Sequence, residues 1–294
     1  MTATAAESAR ALGLDRFLST HPGKRATERF WLYYTPVWGA MSAVVMLGGV
    51  ATRWGDVECM IYGVALALGA IVGPLVLRAP EERALPLHQT AAFKMVLSVT
   101  GLAFGLNYSQ TPFFWDVLHM HYGFGVELTI QNNPVFLYLV SVAYFSTYAV
   151  LCAMAFRALR AAFAGRSRVL EKSAYVVAPM AMALLETVLN ANPFMKSLFC
   201  YDDMTFMLWF GTLAYGVAFV YALPMWMAND EAPGQSVSAG ADVVFLFAAL
   251  YADVLTLDVL RYHVAPHFTT VVEGANGLRD FGTSCLEPIA MAIE

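Results

Sequence analysis

The stretch Lys24–Val50, KRATERFWLYYTPVWGAMSAVVMLGGV, decides the fold. Lys24, Arg25 and Arg29 form a basic collar. Phe30 to Val50 then runs without a charge, with Trp31, Tyr33, Tyr34 and Trp38 crowded at its entry. A basic flank, an aromatic belt and about 20 apolar residues are the marks of a helix entering a bilayer from the cytoplasmic side. Residues 1–23 are Ala-rich and polar, with no apolar run of the signal-peptide kind, so the first span itself has to direct insertion.

Working outward, the same kind of run recurs. Further spans are expected at about 57–77, 91–108, 135–156, 173–190, 205–228 and 241–262. The chain of 294 residues is 59% hydrophobic and only 13% charged, well away from a soluble domain. The expectation is an all-α, polytopic transmembrane bundle of about seven spans. It reads as a single membrane domain: 1–23 a polar lead, 30–262 the bundle, 265–294 an extramembranous tail. The span over 241–262 is the least regular, because it holds Asp242, Asp253 and Asp258.

Charge placement orients the bundle. Of the 17 Lys and Arg, only Arg53, Lys196, Arg261 and Arg279 fall on the other side from the lead and the connectors 78–94 and 157–172. The positive-inside rule therefore puts the N-terminus in the cytoplasm. The stretch Leu106–Pro134, LNYSQTPFFWDVLHMHYGFGVELTIQNNP, then shares the far side with the 191–204 loop. It has no Lys or Arg and is rich in aromatic rings. That is too aromatic for a solvated linker and too polar for a span, so it is expected to wall a site at the membrane boundary.

No basic face exists for nucleic acid. Cys59, Cys152, Cys200 and Cys285 are scattered and read as buried thiols rather than a disulfide framework or zinc site. A metal site is not expected. His119 and His121 are two apart and diverge on a helix, and Pro266 interrupts the turn between His263 and His267.

Acids at membrane depth cost about 2.5–3.5 kcal/mol each on insertion scales. Glu186, in PMAMALLETVLN, has no basic residue within a helical turn. An apolar surround favours its neutral form, which makes it an available proton donor, although a carboxyl bonded to a neighbouring helix for packing is the plainer alternative. Asp258 and Arg261, at i and i+3, are suited to a local pair. Asp253 lies on another azimuth, and Asp116 and Glu127 read as solvated loop acids. Asn107, Tyr108, Asn132, Asn133, Asn190 and Asn192 gather at the ends of spans three to five, placed either to bond a ligand hydroxyl or to cap helices.

These residues fall into ordered blocks that resemble the cycloeucalenol cycloisomerase family. The opening KRATERFWLYYTPVW is similar to its KR-x-x-E-x-F…YTP-x-W. Asn107, Tyr108, Thr111, Phe114, Val117, Leu118, Tyr122 and Phe124 are similar to its NY-x-x-T-x-x-F…VL…Y-x-F segment, and Asn132–Asn133 to its NN pair. Leu185, Glu186, Thr187 and Asn192 resemble its LET…N block; Asp203 to Glu231 resemble a long block through span six; Asp258 and Arg261 resemble its D-x-x-R. The chain departs from the pattern at Pro112, where the family has His, and in PVFLYLVSVAYF entering span four, where the family has further His.

The resemblance implies an intramolecular isomerase of sterol biosynthesis. It opens the 9β,19-cyclopropane ring of a cycloeucalenol-like sterol to a Δ8, obtusifoliol-like sterol, by protonation at the ring methylene and loss of the C8 proton. For that chemistry Glu186 is expected as the acid and Asp258, or a tyrosine-linked water, as the base. Substrate contacts are expected from Tyr34, Trp38, Asn107, Tyr108, Asn132, Asn133, Asn192 and Tyr215. No cofactor and no metal are implied. The partners are a sterol drawn from the bilayer and membrane lipid. The alternatives are another membrane sterol double-bond isomerase and a non-enzymatic seven-helix lipid transporter. An integral membrane location follows, the endoplasmic reticulum in a eukaryote or the inner membrane in a bacterium.

Overall fold

The structure, a computed structural model, describes residues 13–274. Residues 1–12 of the polar lead and 275–294 of the tail, with Cys285, lie outside the described residues. Seven helices are long and apolar enough to cross a membrane: α1 Pro22–Leu47, α2 Asp56–Val76, α3 Ala91–Asp116, α4 Val135–Phe163, α5 Arg168–Asn190, α6 Met204–Ala228 and α7 Ala239–His267. The protein is an integral membrane protein.

Local chemistry starts the helices where they start. The His21 ring accepts from the Lys24 N–H at the α1 N-terminus, with Pro22 in the first turn; Thr90 caps α3, Asp203 caps α6 and Ser238 caps α7. α2 shows the sidedness of the bundle. Val57, Ile61, Val64, Leu68, Val72 and Val76 form an exposed apolar stripe at helical spacing, while Cys59, Tyr62, Leu66, Ala67 and Ala70 are buried behind it. An exposed stripe of that length faces lipid, not water. α4 is the axis of the packing, with 72% of its most apolar window buried against 28% for α1 and α7. α7 is a full-length span despite its acids. Asp242 and Asp253 point inward and are buried, so the lipid-facing side stays apolar.

Five spans carry a proline in the interior of their α-helix, at Pro36, Pro74, Pro112, Pro179 and Pro224. α1, α6 and α7 also contain π-helical turns, at Ala43–Leu47, Met207–Gly211 and Leu260–Val264. Such breaks survive where neighbouring helices bury the freed backbone, and they collect at functional sites.

The boundary stretch differs from the expectation in one half and agrees in the other. Leu106–Asp116 is the last part of α3, not a loop, because Pro112 sits within a helix that tertiary packing encloses. Past it, β1 Met120–Tyr122 pairs antiparallel with β4 Phe199–Tyr201, in the register Met120↔Tyr201, His121↔Cys200, Tyr122↔Phe199. The far-side loops expected to meet are thus hydrogen-bonded to each other. At Gly123 a Cβ would collide with the Ser197 carbonyl, so only glycine lets the two strands close. A second short ribbon, β2 Thr129–Ile130 with β3 Asn133–Pro134, turns through Gln131 and Asn132 at positive φ before α4 begins.

Asp116 is not a solvated loop acid. It is buried and ion-paired with Arg261, which takes Arg261 away from the local pairing with Asp258. Cys59 and Cys152 are buried free thiols, but Cys200 is disulfide-bonded. Cys200 lies on the far-side loop, and disulfides persist in oxidising compartments, so this bond agrees with the charge-based orientation.

Candidate active site at the far-side end of the bundle

α3, α4, α5 and α6 close with β1 and β4 around a cavity of about 100 Å³, and Met46 of the α1 π-turn completes its wall. Its polar lining is Asn107, Gln110, Thr111, Ser141, Glu186 and Asn190, set among Phe114, Tyr122, Tyr144, Phe145, Phe199 and Tyr215.

Glu186 comes from α5, four residues before Asn190, so the two face the same way. Asn190 Nδ2 donates to Glu186 Oε1 at 2.8 Å. Glu186 Oε2 is buried with no hydrogen-bond partner among the described residues, and Glu186 has no ion pair among them. A carboxylate there would be an uncompensated charge, so the protonated acid is the form this environment stabilises. Beside it the hydroxyls of Tyr201 and Tyr215 are hydrogen-bonded to each other. Burial pushes the Tyr122 and Tyr201 phenols well above the ordinary tyrosine value, which keeps both as neutral hydrogen-bond donors.

On the opposite wall, Asn107 Nδ2 donates to Ser141 Oγ at 2.9 Å, and Asn133 Nδ2 donates to Asn107 Oδ1 at 2.9 Å and Thr111 Oγ1 at 3.1 Å. Thr111 is in turn hydrogen-bonded with Tyr122. This network ties α3, α4, β1 and β3 together, so the wall is rigid before anything binds. Gln110 Nε2 donates to both carboxylate oxygens of Asp253, at 3.2 and 3.3 Å, from a side chain that itself lines the cavity.

The structure brings Glu186, Asn107 and Tyr215 to the cavity and sets Asn133 one hydrogen bond behind it. Trp38 stands one ring further out, its indole 4.3 Å from Tyr144 and its Nε1 donating to Thr147. Tyr34 donates to the Leu66 carbonyl between α1 and α2, away from the lining. Tyr108 faces outward from α3, Asn132 is exposed in the β2–β3 turn, and Asn192 caps the end of α5 through the Val188 and Leu189 carbonyls. Asp258 is exposed on α7 and outside the lining.

Sequence reasoning missed Gln110, Ser141 and Tyr144 and underrated Asp253. Asp253 had one signal: it lies on α7 at an azimuth that Asp258 does not share, and only one of the two can face inward. His119, just before β1, and His121, on it, flank Asp202 at 3.7 and 3.5 Å and do not line the cavity.

No protein-family model matches the sequence, and no solved structure matches it. Among proteins of known name, cycloeucalenol cycloisomerase of Arabidopsis thaliana is 26% identical over 269 residues, covering 90% of this chain and 94% of that protein. Both the ordered motifs from Lys24 to Arg261 and this end-to-end alignment make the chain similar to a cycloeucalenol cycloisomerase.

Proposed function

We propose that the protein is a membrane isomerase that opens the 9β,19-cyclopropane ring of a cycloeucalenol-like sterol to a Δ8, obtusifoliol-like sterol. One observation carries the reading: a half-buried glutamic acid, its Oε2 sealed from solvent and without a counter-charge, faces a cavity walled by aromatic rings, inside a bundle that a lipid substrate reaches from the bilayer. The alignment with a plant enzyme of that name supports it.

In this mechanism Glu186 donates its proton to the ring methylene. Asn190 orients the carboxyl and accepts part of the charge left on it. The C9–C19 bond breaks, and the faces of Phe114, Tyr144, Phe145 and Tyr215 stabilise the cation that develops in the ring system. Loss of the C8 proton closes the double bond. The Tyr201–Tyr215 hydroxyl pair, next to Glu186, relays that proton to the Glu186 carboxylate, which regenerates the acid. Asp258, exposed on α7, enters this scheme only through such a relay. Atoms and charge balance without an oxidant, so the step is redox-neutral.

A neutral carboxylic acid is a weak acid toward carbon, so the rate has to come from positioning. A fixed near-attack geometry and preorganised dipoles supply that. The cavity is smaller than the roughly 300–1,000 Å³ of usual ligand sites. Binding of a tetracycle therefore has to displace side chains, and flexible Met46 and Met120 on the lining are the ones that yield most easily.

The test is to supply membranes holding the protein with a cyclopropyl sterol and, separately, a Δ8 sterol, and to read products by mass spectrometry. Conversion of the first to a Δ8 product, abolished in Glu186→Gln at equal expression, is expected. Conversion of the Δ8 sterol alone would replace the reading with a double-bond isomerase, and consumption of neither would sink the enzyme reading.

A further inference from the structure

At the opposite, basic face of the bundle a second recess of about 280 Å³ is lined by His21, Gly23, Glu82, Asp230, Gln235 and Ser236, among others. His21 caps α1, Glu82 ends the 3-10 turn Pro80–Glu82 between α2 and α3, and Asp230 lies in the connector between α6 and α7. One ligand atom from each of these three residues lies within 4.8 Å of the others.

Glu82 is the informative member. It is 4% exposed, its Oε1 accepts from the Ala91 N–H at 2.8 Å, and its Oε2 is buried with no partner among the described residues. At Gly23 a Cβ would collide with this carboxylate, so α1 is shaped to let it in. Asp230 is 2% exposed and sits at φ +43, a backbone state that a non-glycine residue holds only when its surroundings enforce it. His21 Nδ1 accepts from the Lys24 N–H across a long 3.4 Å; an ion on Nε2 moves the ring proton to Nδ1, so metal binding releases that cap.

The charges around the recess do not cancel. Lys94 pairs with Asp230; Lys24 and Arg157 pair with Glu231 and Glu28. Asp242 is buried beside them, hydrogen-bonded by Asn229. Glu82 has no cationic partner among the described residues. A buried carboxylate in that position costs several kcal/mol unless a cation or a proton compensates it.

From these observations we propose that His21, Glu82 and Asp230 bind one divalent transition-metal ion that staples the start of α1 to the α2–α3 and α6–α7 connectors. One imidazole with two carboxylates is a donor set for Zn²⁺ or Mn²⁺. Ca²⁺ and Mg²⁺ take oxygen donors and are disfavoured by the ring nitrogen. Donor atoms on such an ion lie roughly 3–4 Å apart, so a small side-chain rotation closes the set. The site is separate from the far-side cavity, and its role is structural.

The test uses the full chain in detergent, stripped with chelator and dialysed. Mn²⁺ titration followed by electron paramagnetic resonance is expected to show one saturable ion per chain. Mn²⁺ should also raise the melting temperature, an effect that Mg²⁺ does not reproduce and EDTA reverses. Glu82→Gln and His21→Asn should each weaken binding at least tenfold, and His21→Asn should remove the nitrogen coupling from the bound-ion spectrum. If the variants do not fold, the wild-type titration decides. Absence of saturable Mn²⁺ and Zn²⁺ binding overturns the proposal, as does unchanged affinity in both folded variants. A melting temperature that follows pH but ignores metal and chelator assigns the compensation to a proton and overturns it equally.

Discussion

Two clusters at opposite ends of this bundle, the Lys24–Glu28–Arg157–Glu231 network and the lining around Glu186, treat charge in opposite ways. At the cytoplasmic end, Lys24 and Glu28 are fully buried, yet each is ion-paired: Arg157 spans Glu28 at 2.7 Å and Glu231 at 2.6 Å, and Lys24 meets Glu231 at 2.7 Å. At the far end, Glu186 and Asp253 are held by amides alone, Asn190 and Gln110, beside a void. A paired, hydrogen-bonded ion resists protonation and fixes helix positions. A carboxyl bonded only to a neutral amide keeps its proton and is free to give it up. The first cluster fixes helix positions; the second leaves an acid without a counter-charge beside a cavity.

Breaking the first end should have the largest effect on stability. Arg157→Met leaves buried Glu28 without a cation and Glu231 with Lys24 alone, and should destabilise the protein by about 3–5 kcal/mol. Reversible unfolding in mixed micelles measures this; a loss under about 1 kcal/mol would show that the network is dispensable. At the second end the balance reverses. Glu186→Gln should cut isomerase turnover about 10²-fold or more, the scale of a lost general acid. Its unfolding midpoint should stay near wild type, because no ion pair is removed. A Glu186→Gln variant that loses stability and activity together would make Glu186 a packing residue.

A smaller effect is expected where the far end is pinned. Gly123→Ala pushes a methyl into the Ser197 carbonyl and should cost about 1–3 kcal/mol through strain between β1 and β4. Turnover should fall with it, since Met120, Tyr122 and Phe199 line the cavity from those strands. An Ala variant as active as wild type would uncouple the strand pair from the site.

The pH response is the finest probe. Burial alone would raise the Glu231 carboxyl, but the Arg157 hydrogen bonds and the Lys24 charge outweigh it and hold it below the ordinary glutamate value. A depressed folded value means the carboxylate is favoured in the folded state. This contribution is fully present above the ordinary value, about 4.3, and is lost as pH falls through the lower folded one. The melting temperature should therefore decline below about pH 4.3, less steeply in Glu231→Gln; equal slopes would deny the linkage.

Much of this was legible in the chain. The apolar runs with their basic and aromatic flanks marked seven spans, because the bilayer imposes length and composition on each span separately. Glu186 stood out for the same reason, as an acid whose helix offers it no counter-charge. The ends of the Leu106–Pro134 stretch proved the informative part: Asn107 lines the cavity and Asn133 supports it, while His119 and His121 flank Asp202 outside the lining. Asp258 was favoured over Asp253 because its i, i+3 neighbour Arg261 made a visible pair. The structure gives Arg261 to Asp116 instead, 145 residues away, and turns Asp253 inward toward Gln110.

The sequence by itself determined the class of the molecule, its membrane location and the existence of an uncompensated acid. Each of these depends on residues within one or two helical turns, or on composition. Only the tertiary structure decided which polar groups share a cavity, which acids are paired, and that β1 meets β4. Those contacts join residues tens to hundreds of positions apart, such as Lys24 with Glu231 or His21 with Glu82 and Asp230. No local spacing rule records them, because helix packing, not sequence distance, sets which side chains meet.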